Sequence, residues 1–210
     1  MKTSLLAAVL GAFAVGCSAE AAAPEPAADE QDMTKARVTS AYSDLGGDAC
    51  VLLSSGDEHA DSECKAIGSY SVFIHDRIWQ GMTAGLAHGD SEEMPLSVAE
   101  SLPLPERADG TFPFRSYGPK AEWRVPMNDH AAPFALGMRI IDEIEQSDGT
   151  TRKQHHLAVF KLNGEAPCLF ALVEASVQSG TANQIARDQM DRAQTEECPA
   201  LGEVEILEKP

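Results

Sequence analysis

Apolar and polar positions along most of the chain recur with a period of two, which predicts short strands and one clear helix. Val38 to Leu45 reads as a first strand, ended by Gly46-Gly47. Cys50 to Leu53 is apolar, and Ser54 to Glu63 reads as a polar turn region. Between Ser69 and Arg77, Tyr70, Val72 and Ile74 fall on one strand face and Phe73 on the other. Trp79 to Ala87 continues that strand or pairs back on it. Further on, Phe134, Leu136, Met138, Ile140 and Ile144 share a face. A turn at Ser147-Asp148-Gly149-Thr150 leads into a strand over His156 to Leu162. Asn163-Gly164 is a hairpin signal, with Cys168 to Ala175 as the returning strand. These last three strands predict an antiparallel meander.

Two stretches break the alternation. Residues 88–120 hold Pro95, Pro103, Pro105, Pro113 and Pro119 with little periodicity, and so read as a long loop. Ala182 to Gln194 carries Ala182, Ile185, Ala186, Met190 and Ala193 on one helical stripe, with Thr181 and Gln184 matching a capping box. The expected class is α+β: an antiparallel sheet of about six to eight strands with one C-terminal helix packed on it.

The N-terminal residues have a different purpose. Lys2 precedes an apolar run from Leu5 to Val15, too short to span a bilayer and of signal-peptide length. Ala14-Val15-Gly16-Cys17 resembles the lipobox of bacterial lipoproteins, which implies acylation of Cys17 with chains such as palmitate. Ser18, in place of aspartate, implies the outer membrane by the rule of that family. Cleavage after Ala19 or Ala21, giving a soluble periplasmic or secreted form, stays open. The organisation expected is a signal peptide over 1–16, a lipid-anchored tether over 17–35 without a periodic apolar face, and one domain over 36–210.

The formal charge is −17, and a chain this acidic repels phosphate backbones, so no nucleic-acid partner is expected. Of five cysteines, Cys17 is set aside for lipid, and Cys50, Cys64, Cys168 and Cys198 remain. An even number in an exported chain predicts two disulfides. Of the three connectivities, Cys50–Cys64 and Cys168–Cys198 each close a short local loop and are favoured.

The segments Tyr42-Ser-Asp-Leu, Cys64-Lys-Ala-Ile-Gly-Ser-Tyr70-Ser-Val and Tyr117-Gly-Pro-Lys-Ala-Glu122-Trp123-Arg124 carry a resemblance, as do Pro133-Phe134-Ala135 and the Cys168, helix, Cys198 arrangement. Over most of residues 40–198 the chain resembles a family of small exported four-cysteine proteins of alphaproteobacteria. The resemblance implies domain limits and the cysteine framework, and no activity, cofactor or catalytic residue.

Candidate chemistry is sparse. Gly89-Asp90-Ser91 matches the triplet of some lipases, but their downstream Asp-x-x-His is replaced by the adjacent pair Asp129-His130. Gly56 to Glu63 packs acids around His59 without EF-hand spacing and reads as a solvated hairpin tip, so no metal is expected. His155 and His156 are strand neighbours and point to opposite faces, which prevents chelation of one ion. His75 reads as a half-buried strand histidine. Glu122-Trp123-Arg124 has two readings. Glu122 and Arg124 share a strand face and suit a structural ion pair beside a packed tryptophan. Alternatively, with Phe112, Phe114 and Tyr117 upstream, they line a recognition surface. The leading expectation is a non-catalytic envelope lipoprotein, without catalytic residues or cofactor, that binds an envelope protein or cell-wall component. The alternative is a small periplasmic hydrolase using Ser91 or an acid–histidine site.

Overall fold

A computed structural model describes residues 37–78, 81–103, 114–146, 148–162, 166–176, 180–200 and 203–208. The signal segment, Cys17, the tether, Trp79, Phe112 and the Asn163-Gly164 turn lie outside the described residues. The elements are, in order, β1 (Val38–Asp44), β2 (Cys50–Ser55), β3 (His59–Lys65), β4 (Tyr70–Arg77), β5 (Gly81–His88) and β6 (Met94–Pro95). There follow β7 (Phe114–Pro126), β8 (Ala135–Glu145), β9 (Thr151–Leu162), β10 (Pro167–Ala175), α1 (Gly180–Arg192) and β11 (Ile206–Leu207).

The strands form two sheets. One has six strands in the order β1-β7-β8-β9-β10-β11, antiparallel except for the β10–β11 pair. It carries α1 on one face, the α+β arrangement expected. A five-stranded antiparallel meander, β2-β3-β4-β5-β6, covers its other face. The strand alternation read from sequence is the reason. Val72, Ala84 and Leu86 from the meander meet Trp123, Val125, Leu136, Met138, Ile140 and Phe160 from the larger sheet. The intervening residues Ala135, Val159, Ala171 and Val173 point the other way, onto Ala182, Ala186, Met190 and Ala193 of the helix stripe. Small residues bring the helix close: a Cβ on Gly137 would lie 3.1 Å from the Met190 Sδ.

Three sequence expectations change. The proline-rich segment is not one loop. Its end, from Phe114, is the first half of β7, and Leu96 and Val98 are buried on the core. Pro119 lies just beyond the last β1–β7 pair, Asp44 with Lys120, where its carbonyl accepts from the Leu45 N–H at 2.8 Å, and beside a break in the β8 register between Tyr117 and Ala121. The polar turn region shrinks to the Gly56–Glu58 connection, since β3 is a strand with one solvated face. Thr181 lies inside α1, and the Gln184 side chain donates to Asp188 at 2.9 Å, so neither forms a capping box.

Two disulfides and one buried ion pair brace the fold. Cys50 and Cys64 are directly opposed in the β2–β3 register and bonded. Cys168, near the start of β10, is bonded to Cys198 beyond the end of α1. That bond obliges the helix to run back across the sheet. At one end of the core, Arg115 Nε and Nη2 donate to the two Asp142 carboxylate oxygens at 2.7 and 3.0 Å. Both side chains are buried, and Nη2 also donates to the Leu102 carbonyl at 3.0 Å, pinning the β6–β7 connection.

Two outcomes are expected. The paired Cys168→Ser, Cys198→Ser variant loses about 4 kcal/mol of unfolding free energy in urea titration, the chain-entropy value for a loop of this length. Asp142→Ala strands a buried guanidinium and costs about 3–5 kcal/mol in the same titration. A loss under about 1 kcal/mol in either case would contradict the role assigned.

Candidate functional site

The helix-facing side of the six-stranded sheet is where charge meets the core. On it, Ser40 of β1 lies opposite Arg124 of β7, and Tyr42 opposite Glu122. Glu122 in turn lies opposite Gly137 of β8, two residues before Arg139. Strand residues two apart are separated by about 6.7 Å, and helix residues four apart by about 6 Å. The i, i+4 residues Asn183, Arg187 and Asp191 of α1 therefore step along the helix at nearly the spacing of the strand charges.

Two rungs of this ladder are ion pairs of opposite sense. Arg124 Nε and Nη2 donate to Asp191 Oδ1 and Oδ2 at 2.7 and 2.8 Å. Arg187 Nε and Nη2 donate to Glu122 Oε1 and Oε2 at 2.6 and 3.3 Å. Ser40 Oγ ties them together, donating to Glu122 Oε1 at 2.5 Å and accepting from Arg124 Nη1 at 2.8 Å. Arg187 Nη2 also donates to the Tyr42 hydroxyl at 3.1 Å. The Glu122 hydrogen bonds push the Arg187 guanidinium pKa further up, so it stays charged at any working pH.

The third rung differs. Arg139 Nη1 donates to the Ser176 carbonyl at 3.2 Å, and Nη2 to Asn183 Oδ1 at 3.4 Å. Both acceptors are neutral, and no carboxylate joins Arg139 in an ion pair among the described residues. Burial lowers its pKa, though far too little to discharge a guanidinium. Gly118 makes room for its stem, since a Cβ there would lie 2.9 Å from the Arg139 Cβ. A cleft of about 290 Å³ opens at this point. Lys120, Arg139, Arg187 and Tyr42 are on its walls, and Gly137, Leu157, Ala186 and Met190 form its floor.

Glu122 and Arg124 thus do share a face, but each pairs with the helix and not with the other. Trp123, wholly buried between the sheets, points away from them and donates from Nε1 to the Ser43 Oγ at 2.9 Å. Tyr117 packs against the same core, where burial pushes its phenol up to about 12. Phe114 is half-buried at the start of β7. These aromatics are not gathered with Glu122 and Arg124 into one groove. The residues that complete the cleft, Arg139, Asn183 and Arg187, escaped the sequence reading. Their signals were a lone arginine in the apolar run Leu136 to Ile141 and the four-residue spacing on the helix.

Ser91 is exposed, accepts from the His88 backbone N–H at 3.0 Å, and is not joined to a histidine ring. The His88 ring lies 2.9 Å from Ser69 Oγ instead. Asp129 caps its own turn by accepting from the Ala131 N–H. One acid–histidine cluster does form, on the outer face of the meander. His75 Nδ1 lies 2.8 Å from Asp61 Oδ1, and Nε2 lies 2.7 Å from Glu93 Oε1. Asp61 also accepts from Arg77 Nη1 at 2.6 Å and Ser54 Oγ at 2.7 Å. Both ring nitrogens are engaged by carboxylates, which leaves neither free to serve as a base. Glu93 lies flat over Gly85, where a Cβ would meet it. His59 takes no part, and no group of metal-holding side chains forms among the described residues. His155 and His156 point to opposite faces of β9. Both are buried with Nδ1 lacking a partner, and burial lowers the pKa of each.

No family model, curated protein or solved structure matches the chain.

The His75 cluster sets a pH dependence. Burial pulls the His75 pKa down from 6.5, but the hydrogen bonds its ring donates to Glu93 and Asp61 outweigh it and the net shift is upward. A raised histidine pKa stabilises fully below the unfolded value and is lost as pH rises through the folded value. The Arg77 hydrogen bond holds Asp61 far below the usual carboxylate range, so its share is lost only in acid. His75→Gln is therefore expected to destabilise the protein more at about pH 5.5 than at about pH 8.5. Urea titrations at the two values check this, and an equal loss at both would remove the charged histidine from the account.

Proposed function

We propose that this is an exported lipoprotein of the bacterial envelope, one of the four-cysteine group it resembles, anchored through Cys17, with a non-catalytic ligand-binding domain. The two disulfides fit an exported protein. No helix among the described residues is long and apolar enough to cross a membrane. The apolar run and lipobox-like residues before Cys17 support a lipid anchor, which needs more than one acyl chain to hold.

The observation that carries the binding reading is the cleft beside α1. Its polar groups at the open rung are a guanidinium and an amide, which recognise and orient but transfer no proton near neutral pH. Its one nearby carboxylate, Glu122, is held by Arg187 and Ser40. The floor is apolar, the composition common to small-molecule sites.

Two measurements test the reading. Intact mass of protein from host membranes is expected to show an acylated N-terminal Cys17 and a gain of about four daltons on reduction. An unacylated form starting after Ala19 or Ala21 would overturn the anchor. A low-molecular-weight filtrate of the host envelope is expected to raise the thermal midpoint, by about 2–4 °C for each kcal/mol of binding. A midpoint unmoved by that filtrate would count against small-ligand binding.

A further inference from the structure

We infer that the cleft between α1 and the six-stranded sheet binds a small monocarboxylate with an apolar body, its carboxylate taken by Arg139 in place of the acid missing from the third rung. This rests on the binding reading above and names its ligand class.

The charge ladder defines the site. At the first and second rungs a guanidinium meets a carboxylate through two parallel N–H···O bonds. At the third, Asn183 stands where an aspartate would complete the series, and it contacts Arg139 through one long bond of 3.4 Å. A guanidinium has five N–H donors in a fork that matches two carboxylate oxygens. Arg139 spends two of them on neutral acceptors, at 3.2 and 3.4 Å. A half-buried cation so treated gains most from an anion brought by a ligand.

Local charge selects a monoanion. Lys120 is neutralised by Asp44 at 2.6 Å and Arg187 by Glu122 at 2.6 Å, which leaves the single positive charge of Arg139. A phosphate dianion would overfill that charge and face Glu122 across the cleft. Geometry selects the rest of the ligand. Gly137, Leu157, Ala186 and Met190 offer a floor without polar side-chain donors, which suits a short branched or straight hydrocarbon body. The volume of about 290 Å³ lies at the small end of the range for ligand sites.

The test is isothermal titration calorimetry of the protein as purified from its host, with isovalerate and its neutral amide, isovaleramide. Isovalerate is expected to bind saturably, and isovaleramide about tenfold or more weakly than that. Arg139→Gln is expected to weaken isovalerate about tenfold, while Arg152→Gln, which removes an exposed positive charge elsewhere on the sheet, changes it less than about twofold. Asn183→Asp supplies the missing carboxylate internally. It is expected to abolish isovalerate binding and to raise the thermal midpoint, a combination that a misfolded variant cannot produce. Equal binding of acid and amide, indifference to Arg139→Gln, or no saturable binding up to about 20 mM would overturn the carboxylate assignment. A thermal shift by envelope filtrate without isovalerate binding would leave the binding domain standing and sink only the ligand class. An unacylated N-terminus would sink the anchor and leave this site untouched.

Discussion

The six-stranded sheet is covered on both faces, and the polar side chains on its helix-facing side therefore need partners or water; among the described residues the buried His155 Nδ1 has no partner. On the meander side the requirement is met mainly by hydrocarbon across the centre, from Trp123 to Phe160, although Trp123 Nε1 needs the Ser43 Oγ and the His156 Nδ1 is buried without a partner. At that layer's end it is met by the buried Arg115–Asp142 pair. The helix cannot cover its side so completely. Thirteen residues of α1 span about 20 Å, and its apolar stripe is narrow, made chiefly of alanines. Beyond the stripe the sheet carries charge, and the helix answers with charge of the opposite order.

The position of α1 is fixed from several directions. The Cys168–Cys198 bond holds the segment beyond its C-terminal end beside the start of β10. Lys161 Nζ donates to the Glu196 carbonyl in the same segment. The Arg124–Asp191 and Arg187–Glu122 pairs set its rotation, because each is bidentate and tolerates little turning about the helix axis. With register and rotation both fixed, Asn183 is delivered to Arg139 regardless of how good that contact is. The open rung thus follows from the identity of one residue on a rigid frame, and the cleft is preformed.

Much of this frame was legible in the chain. The two-residue alternation of Tyr70, Val72 and Ile74 and of Leu136, Met138 and Ile140 located the core faces, because side-chain direction in a strand is a local property. The cysteine pairs were legible because both close short loops. The division of the strands into two sheets was not, since period two is the same whichever strand lies alongside. The strand start at Phe114 was hidden by Pro119, whose place at the end of the β1 pairing and beside a break in the β8 register no local pattern announces. At the site, Glu122 and Arg124 were visible as a same-face pair. Their partners were not, because Arg187 and Asp191 lie 65 and 67 residues away and are matched by equal axial spacing of helix and strand.

The acid–histidine cluster and the open rung answer the same electrostatic demand in opposite ways. Around His75, Asp61 and Glu93 saturate the ring, and Arg77 and Ser54 saturate Asp61, so the set is closed upon itself. Around Arg139 the set is left open, although carboxylates are not scarce: the chain has 33 Asp and Glu against 16 Lys and Arg. The Arg139 guanidinium would gain a charge-assisted pair from one amide-to-carboxylate change at Asn183, and that local gain, not the net charge of −17, is what favours it. A stability optimum would therefore carry an acid at this position. Keeping a neutral amide there forgoes that gain and preserves a single uncompensated positive charge, within an acidic molecule, at the mouth of an apolar cleft. Forgone stability of this kind concentrates at sites used for binding, where a satisfied residue would exclude the ligand.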